Sequence, residues 1–217
     1  MLEIKTFVFG PFYTNTFVVS DEHHILLIDP ACYTQYEQHQ LYTYISNLQF
    51  SISNPQLSIV ATHGHLDHLW GAKWATEQYH TPVLMHEADI PLAQDMQSQY
   101  DLFGIPGTPE PFPIKSLTDE VGLTVQRSVS EAVCQCNGLS ILSTPGHTPG
   151  SICLYWPEEK TLLAGDTLFR MGYGRTDLPG GDMRQLIASL ERLFTLPFDV
   201  RVYPGHGDPT TIGAERR

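Results

Sequence analysis

Between Thr62 and His68 the chain reads Thr-His-Gly-His-Leu-Asp-His, so three histidines and one aspartate fall close together. Imidazole and carboxylate are donors for divalent transition ions, and a dense group of them is hard to explain as packing. In an extended segment His63 and His65 point the same way. A helix opening near Leu66 puts Asp67 and His68 in its first turn, facing back toward the strand end. Gly64 leaves room for a cation and a tight backbone path. Three further segments offer one donor each: His147 in Ser143-Thr144-Pro145-Gly146-His147-Thr148, Asp166 after Leu162-Leu163-Ala164-Gly165, and His206 in Tyr203-Pro204-Gly205-His206-Gly207. Asp166 ends an apolar run, where a carboxylate is costly to bury without a cation or donors. Each donor follows a run that reads as a buried strand, and in layered α/β proteins sites gather outside strand ends. One ion with roughly four to six positions cannot use five histidines and two aspartates, whereas two ions sharing a bridge can. The donor types suit Zn, Fe, Mn, Co or Ni, and the absence of thiolate removes the softest sites. His23, His24, His39, His80 and His86 lack such settings and are expected at the surface.

The elements that must position these donors follow from patterning. β-branched and aromatic runs predict strands over Leu2 to Phe9 and Thr16 to Ser20, divided by the Gly10-Pro11 turn. Asp21 to His24 reads as a hairpin tip. Short apolar runs at Ile25 to Ile28, Leu57 to Ala61 and Pro82 to Met85 read as buried strands. Helical spacing covers Tyr36 to Leu48 and Leu66 to Tyr79, and a helix fits residues 88–100. Residues 101–120, rich in Pro and Gly, read as a loop or a linker between halves. Strands resume at Leu123 to Gln126, Ala132 to Cys136, Leu139 to Ser143, Ser151 to Trp156 and Thr161 to Ala164. A helix over Asp182 to Phe194, with Asp182 as N-cap, precedes a last strand at Val200 to Tyr203. Each half runs strands, helix, strand. The expectation is one domain over 1–217, built of two similar halves of about 1–115 and 116–217.

Composition narrows the partners. The chain of 217 residues carries 12 basic and 24 acidic side chains, a formal charge of 12 − 24 = −12. Thinly scattered Lys and Arg argue against the nucleic-acid backbone as a partner. No run approaches the roughly 18 apolar residues of a membrane span, and Met1 to Gly10 does not read as a secretory signal. A cytoplasmic setting is expected, with no membrane partner. Oligomeric state is not assigned. Cys32, Cys134, Cys136 and Cys153 are then expected to be reduced, buried thiols rather than a disulfide framework.

The four donor motifs, in order, resemble those of the metallo-β-lactamase superfamily, and in detail its glyoxalase II-like branch of compact bacterial hydrolases. The resemblance runs from the Ile28-Asp29-Pro30 strand end to His206. It implies an α/β fold, a four-layer αββα sandwich of two mixed β-sheets with helices outside and the site along one edge. It implies two divalent metal ions, zinc first and iron or manganese as alternatives. His63, His65 and His147 would hold one, Asp67, His68 and His206 the other, and Asp166 would bridge. Asp29 resembles a position that orients the ligand loop, the alternative being a turn-capping Asp before Pro30.

The implied chemistry is hydrolysis by a metal-bridging hydroxide, the metals stabilising the oxyanion and Asp67 handling the nucleophile's proton. A thiolate leaves without much acid help, so the expected substrate is a small-molecule acyl-thiol such as a hydroxyacyl-glutathione. Exported β-lactamases of this fold commonly carry cysteine where Asp166 stands, which argues against antibiotic hydrolysis. Glyoxalase II proper adds a C-terminal helical glutathione-binding domain, which is not expected here. Gly174-Arg175-Thr176-Asp177 also resembles the persulfide dioxygenases, which use one iron, and that activity is the main alternative. A non-enzymatic, metal-stabilised binding protein is the third. Arg175 is a candidate for a substrate carboxylate, although an internal salt bridge with Asp177 or Asp182 is the preferred role. Phe12, Tyr13, Phe169 and Tyr173 are candidates for the pocket wall or for ordinary core packing.

Overall fold

The computed structural model describes residues 2–117 and 138–216. Strands β1 (Glu3–Phe9), β2 (Thr14–Ser20) and β3 (His24–Ile28) form an antiparallel run. β3 then pairs in parallel with β4 (Gln56–Val60), and β5 (Val83–Met85) and β6 (Ile114–Ser116) extend the sheet in parallel. The second sheet has the order β13-β12-β9-β8-β7. In it β7 (Ser140–Ser143), β8 (Ile152–Trp156) and β9 (Thr161–Gly165) are antiparallel. β12 (Arg201–Pro204) runs parallel to β9, and β13 (Thr210–Thr211) closes that edge. A small hairpin, β10 (Leu168–Phe169) with β11 (Gly172–Tyr173), follows β9.

The alternation of side chains along the strands makes four layers. Phe17, Val19, Leu26, Ile28, Val60, Leu154, Trp156 and Leu163 point into one core between the sheets. Their neighbours Val18, Ile25, Leu27 and Ile59 point the other way, against Leu41 and Ile45 of α1 (Gln35–Ser51) and Ala72 and Ala75 of α3 (Ala72–Tyr79). On the far side Cys153, Tyr155, Leu162 and Ala164 meet Leu186, Leu190 and Leu193 of α6 (Met183–Leu193). Both sheets are therefore apolar on both faces, which is why their strands read as unbroken apolar runs. The αββα sandwich expected from the motifs is the fold observed.

Several boundaries differ from expectation, for tertiary reasons. The helix expected over Leu66 to Tyr79 is two, α2 (Leu66–Leu69) and α3, parted at Trp70 and Gly71. Gly71 donates to Pro30 O at 2.7 Å, and a side chain there would run into Cys32 Sγ, so chain crossing breaks the helix. The helix expected over 88–100 is a 3-10 turn at Glu87–Asp89, then α4 (Ile90–Gln94) and α5 (Met96–Phe103), with Asp95 leaving helical geometry between them. The expected linker at 101–120 is entered by α5, and its β6 joins the first sheet at the edge beside β5. β6, the β10–β11 hairpin, β13 and α7 (Ile212–Glu215) had no sequence counterpart. The strands expected at 123–126 and 132–136, with Cys134 and Cys136, lie outside the described residues.

Both ends of the sandwich edge are stitched to helices. Thr34 and Glu37 form a capping box at α1, and Glu37 Oε1 also accepts from Gly10 N at 2.9 Å. Asp182 caps α6 by accepting from Arg184 N and Gln185 N, while its own N–H reaches Gly146 O at 2.8 Å. Cys32 and Cys153 are buried and unpaired, and burial pushes their thiols up to about 12 and about 11. Both should therefore stay protonated and resist alkylation at pH 8 in the native protein, reacting only after denaturation, as peptide mass mapping would show. Asp182→Ala removes the N-cap of α6 and should destabilise the fold. A melting curve should register this as a lower midpoint.

Candidate metal centre

Four strand ends meet at one edge of the sandwich. β4 leads into Thr62 to His68, β7 into the 144–151 loop, β9 into Asp166, and β12 into Gly205 and His206. The sheets are joined here: Ile152 N donates to Thr62 O at 2.9 Å, and Asn15 N donates to Gly205 O at 2.7 Å. Asn15 Nδ2 also donates to Pro204 O and Gly207 O, both at 2.9 Å. The donors contributed by different sheets are thus held in one register.

The seven candidate donors fall together. Their ligand atoms form three overlapping groups, each within 4.8 Å: His63, His65 and His147; His63, His68 and Asp166; Asp67, His68 and His206. His65 Nδ1 lies 2.9 Å from His147 Nε2 and His68 Nε2 3.3 Å from His206 Nε2. Asp166 Oδ2 is 3.6 Å from His147 Nε2 and 3.5 Å from His206 Nε2, while its Oδ1 is 3.4 Å from His68 Nε2. It therefore lies between the two outer groups. A side chain at Gly205 would collide with Asp166 Oδ1 and His68 Cε1, so glycine there is required by the approach of β12 to the cluster.

Hydrogen bonds behind the rings set their tautomers. A carbonyl can only accept, so His147 Nδ1 donates to Arg175 O at 2.7 Å and His206 Nδ1 to Phe12 O at 3.1 Å. His68 Nδ1 donates to Asp29 Oδ2 at 2.9 Å. Thr62 Oγ1 donates to Asp29 Oδ2 at 2.7 Å, so it can only accept from His63 Nδ1, at 3.1 Å. Each arrangement leaves Nε2 turned toward the cluster with its lone pair available to a cation. Asp29 is wholly buried, sits at φ 51°, and accepts from Thr62 N as well. It therefore ties down Thr62 and His68 as well as bounding the Pro30 turn.

The residues present fit a cation. Buried His63 Nε2 and Asp166 Oδ1 have no hydrogen-bond partner among the described residues. Without positive charge between them, the groups polarise one another. Burial holds His63 well below the ordinary histidine value, and burial with neighbouring His147 brings His65 to about 3. Burial opposes the protonation of His68 and His206. Yet Asp67, Asp166 and Asp29 hold His68 well above its usual value, and Asp166 and Asp67 bring His206 to about 9. Burial likewise opposes ionisation of Asp166, but His68 and His206 hold it well below the usual carboxylate range. The carboxylates thus demand positive charge at the spot where lone pairs converge.

His65, Asp67, His147, Asp166 and His206 of the cluster line a cavity of about 510 Å³. Phe12, Tyr173, Arg175 and Phe169 are on its wall, as anticipated, together with Phe103, Leu178 and Gln99. Tyr13 is not: the left-handed turn at φ 56° leaves it 73% exposed, outside the wall. Arg175 makes the internal salt bridge, with Nε and Nη2 on Asp177 at 2.7 and 2.6 Å. Two supporting residues were missed in the sequence. Gln99 accepts from Leu66 N and donates to Gly64 O, fixing the start of α2. Asp89, wholly buried, accepts from backbone on both ligand loops. The only sequence signal for either was a polar residue on a segment facing the strand ends.

Two mixed sheets back to back, helices outside, and a histidine–aspartate cluster at their common edge define a metal-binding class of α/β sandwich. The family model of the metallo-beta-lactamase superfamily matches residues 9–206, and the chain belongs to that superfamily. Its members are generally hydrolases that bind divalent metals. The chain is 32% identical to hydroxyacylglutathione hydrolase GloC of Haemophilus influenzae, covering 91% of this chain and 86% of that one. It is 32% identical to TTHA1623, solved in a di-iron-bound form, with a TM-score of 0.79 over 98% of this chain and 97% of that one. It is 31% identical to BLEG-1 B3 metallo-beta-lactamase, with a TM-score of 0.78 over 98% and 96%. Among the described residues no helix is long and apolar enough to cross a membrane.

Metal should stabilise the fold measurably. Zn²⁺ at about 100 times its dissociation constant should add about 2.7 kcal/mol. Melting curves should rise with Zn²⁺ and return on chelation. In Asp166→Asn the rise should shrink, because the carboxylate lying between the groups loses its charge.

Proposed function

We propose that the protein is a dinuclear metal-dependent hydrolase of thioesters, acting on an acyl-thiol such as a hydroxyacyl-glutathione. The observation that carries this reading is the convergence of seven ligand-type side chains in overlapping groups, with His65, Asp67, His147, Asp166 and His206 on the wall of one cavity and His63 and His68 buried behind them. His63, His65 and His147 would hold one divalent ion and Asp67, His68 and His206 the other, with Asp166 available to both and zinc the first candidate. When bound, such ions supply Lewis acidity, which makes water a nucleophile at neutral pH and polarises a carbonyl.

The chain's own residues do the rest. Asp67 is fixed by Thr14 Oγ1, which donates to its Oδ2 at 2.8 Å, and it lines the cavity. It orients the attacking water and takes its proton. Phe12, Phe103, Phe169 and Leu178 cover the acyl group and exclude bulk water. Apart from the cluster, the titratable residues lining the cavity, among those described, are Tyr173 and Arg175. Arg175 is occupied by Asp177. Among the described residues the acids left to a leaving group are Tyr173 and Asp67 once it holds the water's proton, and a group that leaves readily as its anion asks least of them. A thiol ionises at about 8.5, far more readily than an amine leaves as its anion, and this favours a thioester. The GloC relative, a hydroxyacylglutathione hydrolase by name, supports the same substrate class.

Purified Zn²⁺-loaded protein should hydrolyse S-D-lactoylglutathione, followed by release of free thiol, and chelation should abolish turnover. Asp67→Asn should lower kcat by about 10²–10⁴-fold. The reading fails if several acyl-thiols, tried with Zn²⁺, Fe²⁺ and Mn²⁺, give no thiol. Oxygen uptake with glutathione persulfide, at one iron per chain, would replace it with the dioxygenase. Turnover of a β-lactam instead would align the chain with BLEG-1.

A further inference from the structure

Asp89 is a buried carboxylate placed between two loops that come from different sheets. It follows β5 at the end of a 3-10 turn, and none of its surface is exposed. Its Oδ2 accepts from Gly64 N at 2.8 Å and from Thr148 Oγ1 at 2.6 Å, and its Oδ1 accepts from Gly150 N at 2.6 Å. Gly64 lies between His63 and His65. Thr148 and Gly150 follow His147. Both glycines are shaped to this contact: a Cβ at Gly64 would lie 2.9 Å from Asp89 O, and one at Gly150 would lie 2.8 Å from Asp89 Cγ. The carboxylate is therefore a three-point strut between the two loops that carry one of the donor groups, His63, His65 and His147. None of its hydrogen bonds reaches Asp67, His68 or His206.

We propose that Asp89 is a positioning residue that sets the spacing of the two loops and, through it, the affinity of the three-histidine position for its metal. The other position is left unaffected. This rests on the dinuclear reading above. A buried carboxylate accepting three short hydrogen bonds is a stiff support, and buried charge-assisted bonds of this kind are the strong ones. Supporting groups behind metal ligands change metal affinity by about 10–100-fold. Asn at this place keeps the volume but must aim its NH₂ either at Gly150 N–H or at the Gly64 N–H and Thr148 hydroxyl pair. Donor then faces donor, and the loops separate by the distance that relieves the clash.

The test is Zn²⁺ binding to the full chain, in competition with a chromophoric chelator and without any activity assay. Wild-type protein should bind two equivalents. Asp89→Asn should hold one with unchanged affinity and lose about 10–100-fold at the other. Imidazole ¹⁵N shifts should show that His65 and His147 lose the metal-bound signature first while His206 keeps it. Thr148→Val, which removes one of the three donors, should move the same equivalent in the same direction by less, and it serves if Asp89→Asn fails to fold. Equal weakening of both equivalents, or of neither, in the folded variants overturns the inference and leaves the dinuclear reading standing. Wild-type protein that takes no second equivalent overturns both.

Discussion

Lone pairs and negative charge converge at one point, and everything else in the molecule is arranged to hold them there. Imidazole nitrogens 2.9 Å apart and a buried carboxylate with an unpartnered oxygen are unfavourable neighbours in a low-dielectric interior. The fold can keep such a grouping only because it is rigid at that edge, and a cation is what makes the grouping favourable. The cost of assembly falls on the scaffold and the gain appears on binding. Metal occupancy and folding are for that reason coupled in a site of this kind.

The rigidity has a visible construction. Each donor sits just past a strand whose two faces are locked in separate cores, so the strand ends cannot drift. Rings are then aimed from behind by Asp29 for His68, Thr62 for His63, and the carbonyls of Phe12 and Arg175 for His206 and His147. The use of Arg175 O explains why the Gly174 to Asp177 segment lies where it does. Its side chain locks the loop through Asp177 while its backbone sets a tautomer. Glycine recurs at this edge because backbone must pass close to the cluster. At Gly174 a side chain would meet His147 Nδ1 at 3.0 Å, and Gly205 is closed by Asp166.

Shared chemistry does not carry a shared substrate. The superfamily's donor set is compatible with several leaving groups, and the wall of the cavity makes the choice. Among the described residues that wall, apart from the donors, is mainly aromatic and aliphatic, and its guanidinium, Arg175, is already paired. A site of this composition offers a ligand mainly apolar surface and few charged contacts. The relatives span a glutathione thioester hydrolase and a protein called a β-lactamase, at nearly equal identity. Wall residues separate such relatives better than donor motifs do.

Local sequence determined the donors and the strands that carry them. Thr62 to His68 is dense because neighbours one or two residues apart, Asp67 with His68 and His63 with His65, fall in the same donor group, and the apolar run before Asp166 is unbroken because both faces of its strand are buried. Such features depend on nearest neighbours and on periodicity, which a linear chain displays. Only the tertiary structure decided the break between α2 and α3, where Gly71 crosses Pro30, and the joining of β6 to the sheet edge beside β5. It also turned Tyr13 away from the cavity and brought Phe103 and Leu178 onto its wall. Asp89 falls in a stretch that fits a helix, and its part in bracing two loops, one of them 61 residues further along the chain, is visible only once they are side by side. Contacts of that range depend on how layers pack and not on what precedes or follows a residue, so no local pattern announces them.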